Sequence, residues 1–99
     1  MNKLQINKYI FHIGSNNKTH KREIKKALNI CSEFVKGFNA SLNIGFWKNQ
    51  KENSFKIEVL NTPEINTTDL KMFELKKNLE IDLKQYVVLL EKQNLKVLN

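Results

Sequence analysis

The sequence predicts an α+β domain of ferredoxin-like, split βαβ topology (β-α-β-β-α-β), an antiparallel sheet with two helices on one face. Three observations carry this expectation. Apolar residues recur at helical spacing in two separate stretches, and two segments between them alternate apolar and polar residues. Short apolar runs flank this pattern at both ends. The 99 residues suffice for one domain, 1–99, with a modest core, and are too few for two domains that each fold alone.

Tyr9-Ile10-Phe11-His12-Ile13 is β-branched and aromatic and is stopped by Gly14, so it reads as a first strand starting as early as Leu4. From Thr19 to Lys36, Ile24, Ala27, Leu28, Cys31, Phe34 and Val35 mark one helical face, and Gly37 is the expected stop. Ala40, Leu42, Ile44 and Phe46 alternate with Ser41, Asn43, Gly45 and Trp47, giving a second strand with a buried and a less buried face. Lys48 to Asn53 is then a polar hairpin loop, and Phe55, Ile57 and Val59 alternate along a third strand. After the break at Asn61-Thr62-Pro63, Thr67-Thr68-Asp69 offers N-cap chemistry for a helix reaching Leu83, with Met72, Leu75, Leu79 and Leu83 inward. Tyr86 to Leu90 forms a fourth strand, and Gln93-Asn94 is expected to turn Leu95 to Leu98 into a short edge strand.

With 40% hydrophobic residues, three Gly and one Pro, the composition is that of a globular protein. No segment approaches the roughly 20 apolar residues that span a bilayer, and no apolar core follows Met1-Asn2-Lys3-Leu4. A soluble, cytoplasmic protein with no membrane partner is the expectation. Cys31, the only cysteine, lies on the apolar stripe of the first helix and reads as a buried small hydrophobe rather than a nucleophile.

The formal charge is +7, unevenly spread. Residues 1–36 carry eight basic side chains against Glu23 and Glu33, a net +6, whereas residues 61–99 balance at zero. Such a field draws nucleotides, nucleic acid or an acidic protein surface. Sixteen lysines to one arginine argue against base readout, which favours the bidentate guanidinium fork.

The charge peaks where the first helix begins. Helix N-termini favour acidic residues, because free N–H groups and the macrodipole already place positive charge there. Here Lys18, His20, Lys21 and Arg22 stand there instead. With Ser15, Asn16, Asn17 and Thr19 they form the candidate ligand-binding set, suited to a phosphate at a helix N-terminus. The loop lacks the GxxxxGK[ST] spacing that wraps a triphosphate. The competing reading is a solvated basic face, since Lys18, Arg22, Lys25, Asn29 and Lys36 fall opposite Ile24 and Cys31.

His12 and His20 are the only histidines, and neither metal nor cofactor is expected. Trp47 and Leu60, with Ile10, share the sheet face that no helix covers, where Trp47 could stack on a base, anchor a homodimer or fold over the hairpin edge. A homodimer through that open face is the expectation. Leu70, Phe73 and Ile81 lie nearly opposite Met72 and Leu79, so the second helix is either buried on two sides or carries a partner surface. Sheet-based RNA recognition is disfavoured, because Ser54, Lys56 and Glu58 occupy the positions where stacking aromatics belong. No nucleophile–base–acid motif is present, and a small phosphoester hydrolase built on Asn17, His20 and Arg22 is a minor alternative.

The chain resembles a group of short ferredoxin-like proteins found in phages, archaeal viruses and bacterial genomes. The resemblance rests on Ile13-Gly14-Ser15-Asn16-Asn17-Lys18-Thr19, Lys36-Gly37-Phe38, Gly45-Phe46-Trp47-Lys48 and Gln85-Tyr86-Val87. It implies a virus or mobile-element accessory protein of the host cytoplasm. Proteins in that setting often act on host defences, by capturing a nucleotide signal or by blocking a defence complex through protein contact.

Overall fold

Strand β1 (Lys3–Gly14) is central in a four-stranded antiparallel sheet of order β2-β3-β1-β4, and its neighbours come from distant parts of the chain. The others are β2 (Asn39–Trp47), β3 (Gln50–Asn61) and β4 (Leu89–Leu98), with helix α1 (His20–Phe34) between β1 and β2 and helix α2 (Asp69–Asp82) between β3 and β4. This computed structural model describes residues 3–14, 20–84 and 88–98, with backbone alone for 3–5, 20–22, 45–47, 50, 52 and 97–98. The element order and sheet topology are those of the ferredoxin-like fold.

Strand parity decides the core. Tyr9, Phe11 and Ile13 of β1 pair with Val59, Ile57 and Phe55 of β3, and all six are buried beneath the helices. The helices close over them with Ala27 and Cys31 from α1 and Met72, Leu75 and Leu79 from α2, while Leu83 and Val88 seal the passage into β4. The opposite parity gives the open face, where Lys8, Ile10 and His12 pair with Leu60, Glu58 and Lys56.

Each end of α2 has a physical cause. The Thr68 side chain accepts a hydrogen bond from Lys71 N at 3.2 Å and caps α2, whose first residue, Asp69, suits the positive end of the helix dipole. At the other end Lys84 takes a left-handed conformation (φ 54°) and its N–H reaches Ile81 O at 3.2 Å. The Glu80 carboxylate accepts from Lys76 Nζ and Val88 N, both at 2.8 Å, tying α2 to the entrance of β4.

Four expectations are corrected. The β2–β3 connection is a two-residue turn, Lys48-Asn49, both with positive φ (50° and 64°), so Gln50 to Asn53 belong to β3. β4 runs unbroken through Gln93-Asn94, which pair with Lys8 and Asn7. Gly37 is no left-handed cap; α1 ends at Phe34, and no described glycine has a positive φ. Leu42 shares the helix-facing side with its partner Phe55 but is 65% exposed, and Ile44 is 62% exposed. β2 is an edge strand that α1 does not cover, and a groove of about 220 Å³ lined by Ile24, Leu28, Ala40, Leu42 and Phe55 separates them.

Candidate functional site

The candidate ligand-binding segment sits between a central strand and a helix start. Gly14 ends β1 opposite Ser54, and α1 begins at His20, so the backbone of His20, Lys21 and Arg22 forms the first helical turn. Ser15, Asn16, Asn17, Lys18 and Thr19 lie outside the described residues, as do the side chains of His20, Lys21 and Arg22. A helix start opening from the end of a central strand directs free backbone N–H groups into the connecting loop, the arrangement that receives anions. Glu23 also falls in this turn and contributes the one acidic side chain of α1's first turn. Lys25, Asn29 and Lys36, further along the basic stripe, are exposed.

A second polar constellation escaped the sequence reading. The Tyr9 hydroxyl donates to Asp69 Oδ1, which also accepts from Lys92 Nζ at 2.9 Å, and Lys92 Nζ stands 5.6 Å from the centre of the Tyr9 ring. These three side chains, with Phe73 and Leu90, line a pocket of about 100 Å³. The electrostatics are mutually reinforcing. Burial, then the hydrogen bond to Asp69, push the Tyr9 hydroxyl above its ordinary value. The Tyr9 hydrogen bond, then that of Lys92, hold the Asp69 carboxyl down, and Asp69 in turn raises Lys92. The signal that could have found this group is parity: Tyr9 and Lys92 are direct cross-strand partners on the helix-facing side.

The open sheet face carries a paired polar surface. His12 Nε2 meets Glu91 Oε1 at 2.9 Å, Gln93 Nε2 donates to Glu91 Oε2 at 2.9 Å, and Lys8 Nζ meets Glu58 Oε2 at 3.3 Å. The His12 contact, followed by that of Gln93, holds the Glu91 carboxyl down. Ile10 is buried between these pairs, whereas Leu60 is exposed at the margin. Trp47 pairs with Gln50 beside the turn, and its side chain lies outside the described residues.

Cys31 is fully buried, and burial pushes its thiol up to about 12, so it is an inert core residue. Among the described residues no three His, Cys, Asp or Glu side chains converge as a metal site would require, and no helix is long and apolar enough to cross a membrane.

No protein-family model and no curated protein matches the chain. Solved structures do match. A phage SAM lyase in its apo state superposes with a TM-score of 0.63 at 21% identity, over 95% of this chain and 89% of that one. A phage SAM lyase in complex with S-methyl-5'-thioadenosine gives 0.55 at 21% identity, over 96% and 90%. CPII, a nitrogen regulatory PII-like protein from Thiomonas intermedia K12 bound to ADP, AMP and bicarbonate, gives 0.59 at 9% identity, over 99% and 98%. At such identities the likeness is one of fold, and it extends over nearly the whole chain, in keeping with the ferredoxin-like strand order.

Proposed function

We propose that this protein is a non-enzymatic binding module for an anionic, phosphate-bearing adenine nucleotide, held at the junction of β1 and α1 between Gly14 and Arg22. The observation that carries the reading is that junction, where a central strand is followed by a helix N-terminus in a stretch whose sequence holds Lys18, His20, Lys21 and Arg22. The choice of adenine follows the ligands named for its structural neighbours. S-methyl-5'-thioadenosine, ADP and AMP all carry adenine on a ribose, and two of the three carry phosphate. In the viral setting that the sequence resemblance implies, such a module captures a nucleotide signal in the host cytoplasm.

Calorimetric titration with AMP, ADP, cyclic nucleotides, S-methyl-5'-thioadenosine and a short single-stranded oligonucleotide tests this. Lys18→Ala and Arg22→Ala should each weaken nucleotide binding by about 1.5–3 kcal/mol, as expected for a lost charge-assisted hydrogen bond, and leave the melting temperature unchanged. Affinity should fall shallowly with salt, because one or two phosphates are neutralised; a steep fall would indicate a nucleic-acid backbone. A parent protein that binds none of these overturns the proposal. The exposed Lys25 and Lys36 support a second reading, in which the basic face of α1 docks an acidic protein surface of a host defence complex.

A further inference from the structure

The periodicity of α2 is apolar on two opposite sides. Met72, Leu75 and Leu79 are buried on one, while the other presents Leu70 (69% exposed), Phe73 (55%) and Ile81 (71%). Steps of three and four residues bring Glu74 and Lys77 onto the same outer stripe, and both are exposed. Leu70 and Ile81 are equidistant from the midpoint between Leu75 and Lys76, and so are Glu74 and Lys77.

We propose that two copies of this chain pair through the outer faces of α2, antiparallel about a two-fold axis at that midpoint. The symmetry decides the occupant. An isologous contact requires a self-complementary surface, and this stripe is one: the two-fold sets Leu70 against the partner's Ile81 and Glu74 against the partner's Lys77, each contact occurring twice. An offset of four residues sets Leu70 against Lys77 or Ile81 against Glu74, and one of three sets Glu74 or Lys77 against its own copy. Phe73 flanks the seam above Leu90 and Lys92, extending the apolar contact toward β4. The open sheet face, where the sequence reading placed a homodimer, offers less, because Lys8, Glu58, His12 and Glu91 already pair among themselves there. A helix of 14 residues is about 21 Å long, so the interface is at the small end of the specific range and the dimer is weak and reversible.

Sedimentation equilibrium of the full chain tests the pairing, with a dissociation constant of about 10–100 µM expected for an interface of this size. Glu74→Lys and Lys77→Glu should each weaken association about tenfold, since each sets like charges together twice, while the combined exchange restores it. Ile81→Glu should abolish it. Circular dichroism and melting temperature should be unchanged in every variant, as all these side chains face solvent in the monomer. A parent that stays monomeric at about 1 mM, far above the expected constant, overturns the proposal. So does a dimer indifferent to the single exchanges, or a combined exchange that fails to restore pairing; an indifferent dimer would return the interface to the sheet.

Discussion

Tyr9 joins the two ends of the fold's chemistry, a buried ring whose hydroxyl reaches a carboxylate at the start of α2. Tyr9→Phe keeps the ring and removes the donor, so it should cost about 1–2 kcal/mol, read as a shift in the denaturation midpoint. The pH dependence has a definite sign at each end. Asp69, Glu80 and Glu91 have lowered pKa values in the fold, so their stabilisation is present above the unfolded values, 3.8 for Asp and 4.5 for Glu, and is lost as pH falls through the folded ones. Tyr9 is raised from 10.0, so its contribution is complete below that value and is lost as pH rises through the folded one. Denaturation midpoints measured against pH should fall in acid for the parent, less so for Glu80→Gln, and Tyr9→Phe should flatten the alkaline fall. Thr67 Oγ1 is buried with no hydrogen-bond partner among the described residues. Thr67→Val, of nearly the same shape, should therefore stabilise the protein by about 1 kcal/mol. The Tyr9–Asp69–Lys92 group was illegible in the sequence because its members stand 60 and 23 residues apart, Lys92 reaching Tyr9 through strand register and Asp69 reaching both through the placement of α2. Cys31 was legible, since a cysteine on an apolar helical stripe has one ordinary environment.

At the level of elements, α1 was legible because its apolar period marks the buried face, whereas α2 is apolar on two sides and was legible from its helical spacing and from Thr68, which stands immediately before the run and caps it. Thr68→Ala should cost about 1 kcal/mol. Lys84 at the other end is a left-handed residue bearing a side chain, so Lys84→Gly should raise the melting temperature, by about 1 kcal/mol of stability. Strand ends were less legible. Gln93-Asn94 looks like a turn, yet β1 offers Lys8 and Asn7 opposite, and two polar pairs continue a ladder as well as apolar ones. Lys51 to Asn53 also look like a loop, yet Phe46, Gly45 and Ile44 of β2 stand opposite them and the ladder continues. Alternation along β2 told which residues share a face and not whether a helix covers that face, and this is why Leu42 and Ile44 emerge exposed.

Across the whole molecule, the basic first third gathers at β1 and α1, whereas the exposed apolar stripe belongs to the charge-balanced last third. Anion binding and self-association should therefore respond independently. Arg22→Ala should leave the sedimentation behaviour untouched, and Ile81→Glu should leave nucleotide titrations unchanged. The centrality of β1 also has a temporal consequence. The ribosome makes β1 first among these strands and β4 last, yet ten residue pairs, from Lys3↔Leu98 to His12↔Leu89, join them. Closing such a loop costs chain entropy before any contact rewards it, so folding should be slow for so small a protein, on the order of milliseconds to seconds. Until β4 leaves the exit tunnel, one edge of β1 has no partner from its own chain. Stalled nascent chains ending before Leu89 should remain open to protease, and resistance should appear only with release of the last strand.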